Sequence, residues 1–162
     1  MTLGLNTLHN KNIVHRDLKC ANMFLSEDLT NIILGDLNVS KIVKNQLVYT
    51  QTGTPYYASP EVWRDEPYDL KSDIWSFGCV LYEVCSLKPP FTANNMEQLY
   101  KKVQKGNIDR IPSVYSNELF SVIRGMLQVR ANQRPTCEQI LSHPIIEKKM
   151  KDLPTILKDE NF

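Results

Sequence analysis

The sequence predicts a mainly α-helical domain with short β-hairpins near its amino-terminal end. Residues 72–84, Ser-Asp-Ile-Trp-Ser-Phe-Gly-Cys-Val-Leu-Tyr-Glu-Val, are apolar around most of a helical circumference, which marks a buried helix. Leu119, Phe120, Ile123, Met126 and Leu127 recur at helical spacing and form a core-facing stripe. Met23-Phe24-Leu25 and Ile32-Ile33-Leu34 are short apolar runs, with a turn at Ser26-Glu27-Asp28, that can pair as a hairpin. At 162 residues the chain fits one domain with a sizeable core.

Leu5 and Leu8 give the first helix, which ends at Asn10-Lys11-Asn12. Residues 39–52 lack periodicity, and Lys44-Asn45-Gln46 reads as loop. The central helix is expected to start at Ser72 as its cap, with Asp73 in the first turn. Lys88-Pro89-Pro90-Phe91 ends that region, and 96–105 is a basic amphipathic helix whose Lys101, Lys102 and Lys105 read as a solvated face. Residues 136–141 form the last domain helix, broken at His143-Pro144. The domain therefore runs over 1–147, and 148–162 is a charged, loosely held tail.

A net charge of +1 gives no reason to propose nucleic acid or an anionic membrane as partner. No stretch approaches the ~18 unbroken apolar residues of a membrane helix. Cys20, Cys79, Cys85 and Cys137 have no C-x-x-C spacing, so cysteine-held metal is not expected and a reducing intracellular setting fits best.

The chemistry concentrates in residues 13–22, Ile-Val-His-Arg-Asp-Leu-Lys-Cys-Ala-Asn. A lone Asp-x-Lys is usually a surface charge pair. Here it lies inside His-Arg-Asp-Leu-Lys-x-x-Asn, and Gly35-Asp36-Leu37-Asn38, Gly53-Thr54-Pro55-Tyr56-Tyr57-Ala58-Ser59-Pro60-Glu61 and Gln133-Arg134-Pro135-Thr136 follow in order. This series resembles the carboxy-terminal lobe of eukaryotic protein kinases, and the wording at 53–61 is most similar to the NIMA-related serine/threonine kinases. The resemblance covers nearly the whole chain, while the family's glycine-rich loop, strand lysine, helix glutamate and hinge have no counterpart in it. A helical lobe with its amino-terminal lobe missing is therefore expected.

The resemblance implies a role for each matched position. Asp17 accepts the proton of the substrate hydroxyl, Lys19 offsets charge on the transferring phosphate, and Thr54 bridges the two. Asn22 and Asp36 hold Mg2+, Lys19 and Asn22 serve the ATP phosphates, and Phe24 packs beneath adenine. Leu37 and Asn38 stand where the family has Phe and Gly; Asn tolerates the positive φ that glycine supplies there. His15 packs under the loop, Asp73 binds the loop's backbone amides, and Glu61 pairs with Arg134 as carboxylate and guanidinium. Thr50, eleven positions before Glu61, is the expected activating phosphosite, facing a basic pocket of Arg16 and Lys41. The implied activity is that of a non-specific serine/threonine protein kinase, using ATP and Mg2+ on Ser/Thr-bearing protein substrates. The expected location is intracellular and cytoplasmic, with cytoskeletal association or the nucleus as the alternatives. The competing reading is a catalytically inactive lobe that binds proteins without turnover.

Overall fold

The computed structural model describes residues 1–28, 31–36, 41–42 (backbone only) and 55–151. Helix α1 (Thr2–Asn10) leads into the two-residue strand β1 (Ile13–Val14). Strands β2 (Met23–Leu25) and β3 (Ile32–Leu34) follow, then β4 (Lys41–Ile42). β2 pairs antiparallel with β3 in the register Met23↔Leu34, and β1 pairs antiparallel with β4 through Val14↔Lys41. The expected hairpin is thus present, and a second two-stranded pairing brackets the 15–22 loop.

The elements among the described residues from 55 onward are helical: α2 (Pro60–Trp63), α3 (Leu70–Ser86), α4 (Met96–Lys105), α5 (Asn117–Met126), α6 (Cys137–Leu141) and α7 (Pro144–Met150). Two expectations are corrected. The cap of α3 is Asp69, not Ser72. Asp69 Oδ1 accepts from the N–H groups of Lys71 and Ser72, while Ser72 Oγ accepts from the Asp69 N–H, a reciprocal capping box. The Ser72 hydroxyl was legible as a cap residue, but the Asp three positions earlier is the one with extended backbone. The helix at 136–141 is not the last, because Pro144 starts a new helix at its first position instead of ending the helical structure. Helical backbone continues to Met150.

Every residue from Ser72 to Val80 is buried, so α3 offers no solvent face along that stretch. It divides two apolar clusters. On one side Trp75, Cys79 and Tyr82 meet Phe91, Leu99, Val103 and Ile123; on the other Ile74 and Phe77 meet Leu5, Leu18, Val122 and Ile140. Trp75 stacks on Phe91 with centroids 5.4 Å apart, which adds ~0.5–1.5 kcal/mol to the area they bury. Gly78 lets α5 approach: a Cβ there would lie 2.9 Å from Met126 Cβ. None of the helices among the described residues is long and apolar enough to cross a membrane.

Candidate active site

Asp73, wholly buried on α3, is the anchor from which the site is built. Its Oδ2 accepts the His15 N–H at 2.8 Å and its Oδ1 the Arg16 N–H at 3.0 Å. Tyr68 donates its hydroxyl to Oδ1 at 2.8 Å, and His9 Nε2 approaches Oδ2 at 3.0 Å. A buried carboxylate needs such a set of donors. In return it fixes two consecutive amides of the 15–22 loop, and Arg16 takes the left-handed φ of 73° that this demands.

His15 is fully buried, with both ring nitrogens committed to backbone. Nε2 donates to the Gly35 carbonyl at 3.1 Å, and Nδ1 accepts from the Asp17 N–H at 3.3 Å. It therefore ties the 15–22 loop to the end of β3, and has no nitrogen left for proton transfer.

Asp17, Lys19 and Asn22 converge. Lys19 Nζ lies 2.6 Å from Asp17 Oδ2, and the Asn22 amide donates to the same oxygen at 2.9 Å and to the Asp17 carbonyl at 2.8 Å. Asp17 Oδ1 carries no hydrogen bond among the described residues. The side chains of Asp17 and Lys19 are 27% and 34% exposed, so the pair adds little to stability. Asn22 is buried, in contrast, and its two N–H groups are spent on Asp17, which leaves its amide oxygen.

Asp36 follows Gly35, whose N–H donates to the Asn22 carbonyl at 3.0 Å. That bond extends the β2–β3 ladder by one rung and brings Asp36 beside Asn22, at φ 59°. A Cβ on Gly35 would sit 2.5 Å from the Phe24 ring, which would have to swing aside. Phe24 itself is 53% exposed on β2. An amide oxygen and a carboxylate form an all-oxygen donor set, the chemistry magnesium selects, so these residues fit that ion. Among the described residues there is no group of three or more His, Cys, Asp or Glu that could hold a metal.

Glu61 and Arg134 meet in a buried bidentate pair, Nη1–Oε1 2.6 Å and Nη2–Oε2 2.7 Å. Burial works against the Glu61 charge, but hydrogen bonds from Arg134, its charge and the Ser72 hydroxyl hold the carboxyl below the ordinary carboxylate range. Arg134 also donates to the carbonyls of Lys71, Gln128 and Val129, and its guanidinium lies 5.1 Å from the Trp75 ring.

A second polar cluster had no signal in the sequence. Tyr57 donates its hydroxyl to Glu83 at 2.6 Å, and Ser76 donates to the Tyr57 carbonyl at 2.9 Å. Burial, then the Glu83 hydrogen bond, pushes the Tyr57 hydroxyl far above its usual range. Burial and the Glu83 charge likewise raise the Cys20 thiol. These contacts pin residues 55–57 to α3 beside the 15–22 loop. Thr50, Thr54, Leu37 and Asn38 lie outside the described residues; Lys41 is placed by its backbone, opposite Val14.

The protein kinase domain model matches residues 1–146. Serine/threonine-protein kinase Nek5 of Homo sapiens is 40% identical over 164 residues, covering 99% of this chain and 23% of that protein. G2-specific protein kinase nim-1 of Neurospora crassa is 45% identical over 86% of this chain and 16% of its own length. Serine/threonine-protein kinase Nek2 of Homo sapiens is 42% identical over 94% of this chain and 36% of its own. The chain thus spans well under half the length of these relatives. The match and the relatives together establish that the chain belongs to the protein kinase family, in its NIMA-related serine/threonine branch.

Proposed function

We propose that these residues form the carboxy-terminal-lobe part of a serine/threonine protein kinase, which moves the γ-phosphoryl group of ATP to a Ser or Thr hydroxyl of a protein. The observation that supports this most is the division of labour on Asp17. One oxygen is held by Lys19 and Asn22, so the carboxylate is fixed in aim, and the other is open to a substrate hydroxyl. Asp17 Oδ1 takes that hydroxyl's proton, and the alcohol oxygen forms the new bond to phosphorus as the bond to the ADP leaving oxygen breaks. Lys19 turns its ammonium to the charge gathering on the phosphoryl oxygens. When bound, Mg2+ supplies neutralisation of the phosphate charge, and Asn22 and Asp36 are the residues that would hold it. Phe24 offers its exposed ring to the adenine, and Thr54 is assigned the bridging position between Asp17 and Lys19. Positioning and fixed charge are the means of catalysis in this class.

Thr50 is assigned the activating phosphate, received by Arg16 and Lys41. The β1–β4 pairing supports that grouping, since it sets the Lys41 backbone opposite Val14, two residues before Arg16. ATP chemistry and unpaired cysteines favour a site inside the cell. In the whole protein, Asp17→Asn is expected to lower phosphoryl transfer to a protein substrate by about 10²–10⁴-fold with nucleotide affinity unchanged. Asp36→Asn is expected to weaken magnesium-dependent nucleotide binding instead. Undiminished transfer in the Asp17 variant overturns the assignment. Loss of activation in Thr50→Ala, with the phosphate mapped by mass spectrometry, tests the regulatory site.

A further inference from the structure

A cavity of about 590 Å³ opens on the molecule between the carboxy-terminal ends of α4 and α5 and the segment 127–133. Lys105, Arg110, Arg124 and Arg130 line it, and no Asp or Glu does among the described residues. None of the four forms a salt bridge with a described residue. Arg110 is held in place by neutral acceptors, the carbonyls of Ile111 and Tyr115 and the Asn117 side chain, so its charge is uncompensated. Its guanidinium lies 4.8 Å from the Phe120 ring centroid and that of Arg124 lies 5.9 Å from it, which pre-orders both. Two of the cations have a local use as well. Lys105 and Arg124 stand in the last turns of α4 and α5, where each helix end carries about half a negative charge. Against four full charges this leaves about three uncompensated in one cavity.

We propose that this cavity binds the phosphorylated side chain of a phosphoserine or phosphothreonine segment in a protein partner. Arginine forks match the phosphate oxygens two at a time, and a dianion answers the surplus charge better than one carboxylate does. A nucleic acid calls for cations spread along a face, but here they ring a single cavity in a chain of net charge +1. Insertion into a bilayer calls for apolar side chains presented outward, whereas Phe120 is half-buried and Leu127 buried. The site is separate from Asp17 and does not depend on the phosphotransfer reading.

Anisotropy of the whole protein without nucleotide, against an array of phosphoserine and phosphothreonine peptides and their unphosphorylated twins, tests it. Inorganic phosphate, a short RNA duplex and phosphatidylserine vesicles are parallel probes. The best phosphopeptide is expected to bind at least about tenfold tighter than its twin, and less tightly as salt rises. Arg124→Gln with Arg130→Gln, neither of whose side chains makes a hydrogen bond among the described residues, is expected to remove that preference while the melting temperature falls by no more than about 4 °C, the share of Arg124 at the α5 end. No preference for any phosphopeptide overturns the proposal. So does phosphopeptide binding that survives the double change, which belongs to the Asp17 cleft or to the Arg16 and Lys41 pocket, or tighter binding of RNA or vesicles. Because no turnover is read, this outcome stands apart from that of the Asp17 test.

Discussion

At the scale of single residues, side-chain identity in the 15–22 loop is dictated by atoms that have no substitute. Asp17 offers one carboxylate oxygen to Lys19 and Asn22, Asn22 gives two protons and keeps one oxygen, and Asp73 on α3, which anchors the loop, gathers four donors around one carboxylate. Such residues are legible in a sequence because the chemistry restricts both type and spacing. Cys20 is the opposite case. Its surroundings come from Tyr57 and Glu83, which reach it only through the packing of 55–57 on α3, and no local pattern announces that. Burial and the Glu83 charge raise the thiol, so little thiolate exists at neutral pH. Slow alkylation of Cys20 by iodoacetamide is expected, and Glu83→Gln is expected to speed it. Mass spectrometry of time points gives the answer, and labelling of Cys20 as fast as a free thiol contradicts the account.

At the scale of elements, α3 was legible from its all-round apolarity, but its two ends were not. Its start is set by Asp69, three residues before the Ser72 that the pattern suggests, because only there is the backbone extended with a carboxylate to receive two amides. Its end is set by Leu87, a residue 90% exposed and left-handed at φ 56°. Left-handed backbone costs a side-chain-bearing residue ~1–2 kcal/mol, and Leu87 has almost no packing to offset it. Leu87→Gly is therefore expected to stabilise the fold by up to about 1 kcal/mol, after the added freedom of the unfolded chain is deducted. Inside the same helix the opposite holds. Gly78→Ala improves helix propensity by ~1 kcal/mol, yet the new methyl would meet Met126 Cβ at 2.9 Å and Leu127 Cδ2 at 3.0 Å. Cβ is fixed to the backbone and cannot swing away, so overpacking of ~1–3 kcal/mol prevails and a net loss of order 1 kcal/mol is expected. Chemical denaturation of the two variants checks both signs.

Across the whole molecule, the Glu61–Arg134 pair joins segments 73 residues apart and sets α2 against α3 and the 127–135 segment. Both motifs were readable, and so was their pairing, but the supports were not. The Ser72 hydroxyl, the Lys71 carbonyl and the Trp75 ring that enclose the pair come from α3. With Arg134 at 0% and Glu61 at 7% exposure, the pair is desolvated, and removing one partner strands the other. Arg134→Ala is expected to destabilise the fold by ~3–5 kcal/mol at pH 7. The acid limb carries a further signature. Glu61 titrates below its ordinary value of 4.5 in the folded state, so its contribution is complete above that pH. It is lost progressively as pH falls through 4.5 and below. In Arg134→Ala burial is opposed only by the Ser72 hydroxyl and a backbone hydrogen bond, so the Glu61 pKa rises from its wild-type position and the carboxyl takes a proton more readily in acid. The gap between wild type and variant is therefore expected to narrow from pH 7 to pH 4, and Glu61→Gln to flatten the wild-type acid limb. Urea unfolding at several pH values reads both. A gap that stays constant down to pH 4 shows that Arg134 stabilises by packing on Trp75 and not by its charge.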